Sequence, residues 1–530
     1  MAKAKVKEQK SLEQTIWDSA NKLRGAVEPA EYKHVVLSLI FLKYANDRFS
    51  QHRADMVAKG QSAFLEMLPF YQKDNVFFIP ECARWDNIMA NAKQPDIAIR
   101  VDTALHEIEA KNPALSGALP DNYYSRLHLD ATCLASLLDL INGINLQDEA
   151  DKDVFGRVYE YCLAQFALKE GKGKGEFYTP KTIVALLCEL IQPYPKYTMN
   201  GEISGKVYDG ACGSGGMFIQ SMRFVDAHKG SRRNVSVYGQ ESTDTTRRLA
   251  KMNLAIRGIN ANLATKAANT FLDDQHKDLK VDYALENPPF NQKDWRESNQ
   301  LIDDPRWNGY RTPPTSNANY GWLLNTLSKL NQDGVGAVLL ANGALNADGD
   351  EYEIRKQMIK NDVVEAIVIL PMKCFYTTDI SVTAWILNKN KKAHAEKREG
   401  ETINYRDRTG EILFMDLRQM GHPYEKKYIE LTQEDRDIVT SKFKAWRQSD
   451  YSEAYSNVPE FCYSAKAKEI IAKDYTLVPS RYIEFVNRDE NMDYDKKMKS
   501  LQAELSDLLK KEEQSKSDLI AVMKELGYEI

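Results

Sequence analysis

The sequence predicts an α/β protein whose centre is a Rossmann-like sheet of seven strands, with a helical domain before it and a helical tail after it. Three observations lead to this prediction. From Lys206 onward, short apolar runs alternate with helical segments, as in a doubly wound parallel sheet. The first run leads into a glycine-rich loop at residues 209–216. A later run stops abruptly at an Asn-Pro-Pro-Phe turn, residues 287–290.

A chain of 530 residues is too long for one ordinary domain, so we expect two or three. We place a helical domain at 1–150, the sheet domain at 151–480 and a helical segment at 481–530. In the first domain, Ser11 can begin a helix that Gly25 ends, and residues 131–143 form another that Gly143 ends. This domain carries no catalytic cluster, and its expected role is packing or docking.

Seven segments are predicted as strands because each is a short buried-type apolar run bounded by turn residues. They are Val207–Asp209, Val235–Gly239, Val281–Leu285, Gly336–Ala341, Val363–Leu370, Val382–Leu387 and Ile412–Asp416. Helices are predicted between them at Thr243–Ile256 and Trp322–Leu330, and a further helix is predicted at Val154–Leu168.

The turn at residues 287–290 is expected to be rigid. Pro288 and Pro289 lack backbone N–H groups and have a fixed φ, so the preceding strand cannot continue. Such a turn holds the Asn287 amide, the Pro288 carbonyl and the Phe290 ring in one geometry. A plain loop at the end of a strand is the alternative for the motif considered alone.

The glycine loop and the end of the second strand predict a ligand site at the carboxyl edge of the sheet. The loop reads D-G-A-C-G-S-G-G, and its glycines allow close backbone approach to a ligand. It is neither G-x-G-x-x-G nor a phosphate-binding P-loop. The second strand ends at Gly239-Gln240-Glu241, where an acidic side chain can accept both hydroxyls of a ribose.

A second candidate anion site precedes a helix at Glu176-Phe-Tyr-Thr-Pro-Lys181. Thr179 is expected as its N-cap and Pro180 as its first helical residue. Helix N-termini bind carboxylates and phosphates, although an ordinary capped helix would have the same sequence.

Composition narrows the class of protein. The net charge is -5, which disfavours a chain that grips nucleic acid over a large surface by itself. Seven scattered cysteines without a C-x-x-C motif argue against disulfides and structural zinc. No apolar run reaches the roughly 20 residues of a membrane span. The charged first ten residues lack the apolar core of a signal peptide, so we expect a cytoplasmic protein without a structural metal.

Taken together, these motifs resemble those of S-adenosylmethionine-dependent DNA adenine methyltransferases of the γ type, and specifically the modification subunits of type I restriction–modification systems. The resemblance covers nearly the whole chain. It is carried by E-F-Y-T-P-K at 176–181, D-G-A-C-G-S-G-G at 209–216, G-Q-E at 239–241, E-N-P-P-F at 286–290 and C-F-Y-T-T-D-I at 374–380.

The resemblance implies a class I methyltransferase fold that transfers a methyl group from S-adenosylmethionine to adenine N6 in a specific DNA sequence. It implies catalysis by Asn287, Pro288, Pro289 and Phe290. It implies cofactor binding by Glu176, Phe177, Tyr178, Thr179, Pro180, Lys181, Asp209, Ala211, Gly213, Ser214, Gly215, Gly216 and Glu241. It also implies three partners: DNA, a DNA-specificity subunit that binds two modification subunits, and a restriction subunit.

Some positions depart from the family pattern or are assigned by resemblance to its later motif. Gly210 stands where many relatives have proline, which should only loosen the turn. Asn269 or Asp273 would replace an aspartate that bonds the cofactor adenine. Phe375 or Tyr376 would form the other wall of the base pocket.

Two further segments suggest contacts with partners. We hypothesise that the long loop 291–321 is a lid that contacts DNA and orders on binding. The side chains suited to stacking on bases or pairing with phosphates are Trp295, Arg296, Arg306, Trp307, Tyr310 and Arg311. A passive insertion is the alternative. Near the end of the chain, a heptad pattern of mostly apolar residues with a polar centre predicts a helix that docks on the specificity subunit, or packs on its own domain. Its positions are Met498, Leu501, Leu505, Leu508, Glu512, Ser515, Leu519, Val522 and Leu526.

Other functions stay open at this stage. A methyltransferase acting on protein glutamine or on cytosine N4 could use the same turn, since it fits any planar amide or amine. A catalytically silent assembly subunit is a third possibility. The sequence contains no second α/β or repeat domain that could read bases, so the choice of target adenine is expected to lie in another chain.

Overall fold

The computed structural model describes residues 29–127, 129–143, 161–162, 179–197, 201–375, 379–398, 400–424, 428–485 and 494–525. Its α-helices, in chain order α1 to α14, are Pro29–Ala58, Leu68–Gln72, Trp85–Ala90, Ile97–Lys111, Tyr123–Arg126, Ala131–Asn142, Lys181–Ile191, Gly216–Ala227, Asp244–Ile256, Asn319–Lys329, Gly349–Lys360, Gln433–Arg447, Ala467–Ala472 and Tyr494–Glu525. Its strands, β1 to β14, are Lys196–Tyr197, Ile203–Asp209, Val235–Gly239, Ala261–Asn262, Val281–Glu286, Leu330–Ala341, Val364–Ile369, Val382–Asn388, His394–Arg398, Glu401–Tyr405, Glu411–Asp416, His422–Tyr424, Tyr428–Glu430 and Cys462–Lys466.

The described part of the N-terminal region, up to residue 143, is helical, as predicted. Helix α1 supplies much of its core, and its buried residues include Val35, Leu39 and Ile40. Helix α6 begins where the Asp130 side chain accepts a hydrogen bond from Thr132 N and ends at Gly143, the residue predicted to end it. The helix predicted at 11–25 lies outside the described residues. Of the helix predicted at 154–168, only residues 161–162 are described, and they are helical.

All seven predicted strands are present, with small differences in their ends. They are β2, β3, β5, β6, β7, β8 and β11. The sequence did not predict β4, β1, the β9–β10 pair, the β12–β13 hairpin or β14. The two-residue β4 is too short to show a pattern, and β9 reads His-Ala-Glu-Lys-Arg, which has no apolar face.

The sheet confirms the Rossmann-like prediction but is mixed rather than fully parallel. Its central order is β4-β3-β2-β5-β6-β8-β7-β11-β14. Strand β8 runs antiparallel to both β6 and β7, and β14 runs antiparallel to β11. The pattern of buried apolar residues that identified these strands does not encode direction, which explains why a parallel sheet was expected.

The parallel strands β2, β3 and β5 place their carboxyl ends at one edge of the sheet. In the registers of these strands Asp209 pairs with Gly239, and Val207 pairs with Tyr283. The glycine loop, Glu241 and the turn at 287–290 therefore emerge side by side, at the edge where open α/β sheets bind ligands.

The loop that follows the turn is packed against the domain and does not present its aromatic residues to solvent. Trp295 and Trp307 are buried, and the Trp295 ring lies 4.4 Å from that of Phe271. Arg306 donates hydrogen bonds to the carbonyls of Thr270 and Phe271. The hypothesis that Trp295, Trp307 and Arg306 stack on bases or contact phosphates is therefore wrong for this conformation, because internal partners already hold them. Arg311 is exposed and pairs with Asp350, so for this residue a contact with DNA stays a prediction.

Helix α14 lies at the end of the chain and exposes an apolar stripe. Leu501, Leu505, Leu508 and Leu519 on the predicted seam are each about half exposed. The alternative of a helix packed on its own domain is wrong for this stripe.

Within the described ranges, no helix combines the length and the apolar character that crossing a membrane requires.

Candidate active site

The glycine loop leaves open space beside its backbone at two positions. Gly213 and Gly215 have φ values of +53° and +82°, which side-chain-bearing residues rarely adopt. No described atom lies within 4 Å of where a β-carbon would stand on Gly213 or Gly216. At Gly215 the same position is 3.3 Å from Leu254, so that glycine packs against helix α9. The loop is thus anchored on one side and open to a ligand on the other.

The glycine at 210 makes room for a neighbouring side chain. A β-carbon there would lie 2.9 Å from the Tyr208 hydroxyl and 3.3 Å from both Asn325 Nδ2 and Thr270 Cγ2. The expectation that glycine in place of proline only loosens the turn is therefore wrong. The Tyr208 hydroxyl takes up the space that a larger residue would need.

Asp209 ends strand β2 beneath this loop and is buried. Its Oδ1 accepts a hydrogen bond of 3.0 Å from Ala211 N. Burial raises the pKa of Asp209 to about 8, even though the Ala211 hydrogen bond lowers it, and the nearby charge of Glu241 adds to the rise. Near neutral pH the free protein therefore holds this carboxyl mostly protonated, and a cationic ligand beside it would favour ionisation.

This shift predicts how stability depends on pH. Because the pKa of Asp209 is higher in the folded than in the unfolded state, its contribution to stability is complete below about pH 4 and is lost as pH rises through about 8. Asp209→Asn removes this titration. The melting temperature of the variant relative to wild type should therefore rise between pH 5.5 and 8.5, by an amount equivalent to about 1.4 kcal/mol per pH unit at most. Asp273→Asn, at a half-exposed carboxylate, is the control, and a parallel change in all three proteins would contradict the prediction.

Glu241 sits where strand β3 has just ended, and it is bonded to the glycine loop. Its Oε2 accepts from Gly213 N at 3.1 Å, and its Oε1 accepts from Thr243 N at 2.9 Å. Oε1 also accepts from Ser242 Oγ at 3.2 Å. A carboxylate has about four lone-pair positions, and a ligand hydroxyl could replace the Ser242 hydroxyl at Oε1. The residue therefore fits its expected role as a ribose acceptor.

The loop 268–273 is held beside Glu241 by a residue to which the sequence assigned no role. Gln240 is buried, and its Nε2 donates to the carbonyls of Ala268 and Asp273 at 3.1 and 2.8 Å. Asn269 uses its Oδ1 to accept from Phe271 N, and Asp273 pairs with Lys266 at 2.8 Å. Asn269 and Asp273 thus lie in this loop beside Glu241, and each side chain already has a partner there; their contact with the cofactor adenine stays a prediction.

Two more residues fix the glycine loop and were missed. Asn253 donates to the Ser214 carbonyl at 2.8 Å, and Thr270 donates to the Gly210 carbonyl. Buried polar residues at strand or helix positions, such as Gln240 and Asn253, are the signal that could have found them.

The turn at 287–290 presents one unsatisfied acceptor. Asn287 Nδ2 donates to Thr179 Oγ1 at 2.7 Å. Asn287 Oδ1 is buried and has no hydrogen-bond partner among the described residues. A buried acceptor without a partner costs roughly 1–3 kcal/mol, so a ligand that donated a hydrogen bond to this oxygen would be stabilised.

Phe290 is half-buried beside this acceptor, and Phe375 supports it. The two rings are 6.2 Å apart and nearly perpendicular, and Phe375 is buried. Phe375 therefore contacts the edge of the Phe290 ring, and its place in a base pocket stays a prediction. Tyr376 lies outside the described residues.

The helix after the E-F-Y-T-P-K segment begins one residue later than expected. Pro180 is the N-cap and Lys181 is the first helical residue, so Thr179 does not cap the helix. Its hydroxyl bonds Asn287 instead. Glu176, Phe177 and Tyr178 lie outside the described residues.

Across the described part of the chain, no group of His, Cys, Asp and Glu side chains could hold a metal ion.

Comparisons with known proteins identify the family of this chain. The family model described as "N-6 DNA Methylase" matches residues 150–491, and the model "HsdM N-terminal domain" matches residues 12–141. The "Type I restriction enzyme HindI methylase subunit" of Haemophilus influenzae is 36% identical over 85% of this chain and 100% of its own length. The "Type I restriction enzyme MjaIX methylase subunit" of Methanocaldococcus jannaschii is 32% identical over 97% of this chain and 91% of its own.

A solved structure shows the same fold. The type I restriction-modification system methyltransferase subunit from Streptococcus thermophilus superimposes with a TM-score of 0.70, at 22% identity, over 89% of this chain and 99% of that one. The expected class I methyltransferase fold is thereby confirmed. With family models matching both main regions and relatives similar over most of their length, this chain belongs to the N-6 DNA methylase family, as a methylase subunit of the type I restriction enzymes.

Proposed function

We propose that this chain methylates adenine N6 in DNA at the turn of residues 287–290, with S-adenosylmethionine bound along the neighbouring glycine loop. The observation that carries the proposal is the state of the Asn287 amide. Its nitrogen donates a hydrogen bond to Thr179 Oγ1, while its buried oxygen has no hydrogen-bond partner in the described part of the chain. An amino group that donates a hydrogen bond is the complement of such an oxygen.

The residues present fit S-adenosylmethionine. The open backbone at Gly213 and Gly216 gives room for close approach, and Glu241 can accept the ribose hydroxyls. Asp209 offers a carboxyl group that ionises more readily beside a cation. Loop 268–273, which Gln240 holds in place, would flank the adenine ring of S-adenosylmethionine.

When bound, S-adenosylmethionine supplies a methyl group on a positively charged sulfur that keeps the bonding electron pair as N6 attacks. The chain has to bind adenine outside the duplex with the lone pair of N6 available for attack. Adenine N6 is a weak nucleophile because its lone pair is delocalised into the ring, and the base must leave the duplex to be reached.

Asn287 Oδ1 and the Pro288 carbonyl oxygen each accept a hydrogen bond from one of the two N6–H groups. Acceptance at both positions favours a more pyramidal nitrogen, whose lone pair then points toward the methyl group. The Phe290 ring, whose edge contacts Phe375, stacks on the base and fixes its plane. Positioning of this kind provides much of the rate in a transfer between two bound groups. N6 carries an extra proton after attack, and it releases that proton to solvent.

Assembly with other subunits is part of the proposal. We infer that helix α14 docks through its leucine stripe on a DNA-specificity subunit that binds two copies of this chain, and that a restriction subunit completes the complex. The stripe supports this because a helix with half-exposed leucines at heptad spacing lacks a partner surface within the described chain. The specificity subunit would choose the target, and the complex would act on DNA in the cytoplasm.

A single substitution tests the docking surface. Leu505→Lys should weaken association with the specificity subunit by about tenfold or more, because one buried leucine contributes roughly 1.5–3 kcal/mol. Association is measured by isothermal titration calorimetry with the purified partner. Ala503→Lys, an exposed position on the opposite side of the same helix, should leave the affinity within about twofold. Equal losses in both variants would argue against a docking role for the stripe.

The function itself is tested by product analysis. The chain is incubated with unmodified host DNA and methyl-labelled S-adenosylmethionine, with and without its specificity subunit, and the DNA is digested to nucleosides. Label is expected in N6-methyl-2′-deoxyadenosine only when the partner is present. Label in cytosine or in protein would overturn the adenine assignment, and no transfer under any condition would favour a silent assembly subunit.

A further inference from the structure

The contact between Thr179 and Asn287 joins two segments that lie 108 positions apart in the sequence. Thr179 precedes helix α7, and Asn287 follows strand β5. The donor is Asn287 Nδ2, the acceptor is Thr179 Oγ1, and the distance is 2.7 Å. It is the only hydrogen bond that the described residues make with this amide.

The rigid turn does not itself decide how the amide is oriented. Pro288 and Pro289 restrict the backbone, but the terminal torsion of an asparagine is broad and roughly two-fold. A half-rotation about that torsion exchanges oxygen and NH2 with little change in shape. The Thr179 hydroxyl accepts from the NH2 in the structure, and a hydroxyl could equally donate to the oxygen of a rotated amide. The bond therefore restrains the amide against free rotation.

We propose that Thr179 is a positioning residue that anchors the Asn287 amide, so that the amide oxygen stays where it can accept a hydrogen bond from the target nitrogen. This inference rests on the proposed function. Without this bond the amide would rotate, and when its NH2 faced the N6–H groups of adenine, donor against donor, one of the two acceptors at N6 would be lost.

This role differs from the cofactor binding that the resemblance implies for Thr179. A cofactor ligand contributes to the dissociation constant for S-adenosylmethionine. A residue that orients Asn287 contributes to the rate of the chemical step once cofactor and DNA are bound. The two roles therefore predict different kinetics for the same substitution.

The test uses the full chain with its specificity subunit and compares Thr179→Val with Thr179→Ser. Valine keeps the shape of threonine and removes the hydroxyl, whereas serine keeps the hydroxyl. In single-turnover reactions at saturating S-adenosylmethionine and DNA, Thr179→Val should lower the rate about five- to tenfold, as expected for one lost hydrogen bond. Thr179→Ser should stay within about twofold, and both variants should bind S-adenosylmethionine as the wild type does.

Two results would overturn the inference. One is an unchanged rate at saturation in Thr179→Val, and the other is a weaker affinity for S-adenosylmethionine without a rate defect. Melting temperatures report whether the variant folds, and Thr179→Ala replaces Thr179→Val if valine proves destabilising. Wild-type protein that labels no adenine would instead contradict the proposed function, before any variant is compared.

Discussion

Replacing Asn287 with alanine is expected to lower the rate of methyl transfer by about 100- to 1000-fold, the range seen when a preorganised hydrogen-bonding group is removed from a reacting centre. Asn287 Oδ1 is the buried acceptor without a partner in the described part of the chain, and alanine deletes it. The base can still stack on Phe290, but one of its two N6–H bonds loses its acceptor. The rate is measured in single turnovers at saturating cofactor and DNA.

Binding of S-adenosylmethionine to the same variant should be nearly unchanged, because the glycine loop and Glu241 are intact. Asn308→Ala is a matched control, since it makes the same chemical change at an exposed position of the loop that follows. Its rate should stay within about twofold of wild type. If Asn287→Ala methylated DNA at a normal rate, the turn would not be the catalytic centre.

The sheet was largely predictable because its strands are buried apolar runs with clear ends. The parts that could not be predicted lack this signal. Strands β9 and β10 are rich in charged and polar residues, and they pair with each other at one end of the sheet through backbone hydrogen bonds. Such pairing depends on which strand is nearby, and not on an apolar pattern of their own.

The site was predictable where one short segment carries the chemistry. For the glycine loop, Glu241 and the turn at 287–290, a few adjacent residues are enough to predict the local backbone structure. The strand registers bring these segments to one edge of the sheet. The bond between Thr179 and Asn287 could not be predicted, since it joins segments more than a hundred residues apart.

The burial of Trp295 and Trp307 was missed for a related reason. An aromatic residue in a long loop has the same sequence signature whether it binds a base or packs against a core residue such as Phe271.

The separate placement of Glu241 and Asn287 allows binding and chemistry to be tested independently. Glu241→Ala is expected to raise the dissociation constant for S-adenosylmethionine by about 100-fold, since hydrogen bonds to a charged acceptor contribute roughly 1.5–3 kcal/mol each. The substitution also removes the acceptor of Gly213 N and Thr243 N, which loosens the glycine loop. The constant is measured by isothermal titration calorimetry.

At saturating cofactor the rate of Glu241→Ala should stay within a few-fold of wild type, because Glu241 lies at the end of β3 and the Asn287 amide keeps its bond to Thr179. Glu241→Gln retains one acceptor oxygen, so an intermediate loss of about tenfold in affinity is expected. Glu202→Ala, at an exposed position before β2, controls for the loss of one negative charge. Unchanged affinity in Glu241→Ala would mean that the ribose is held elsewhere. A fall in the saturated rate as large as that of Asn287→Ala would mean that binding and chemistry are not separable at this edge of the sheet.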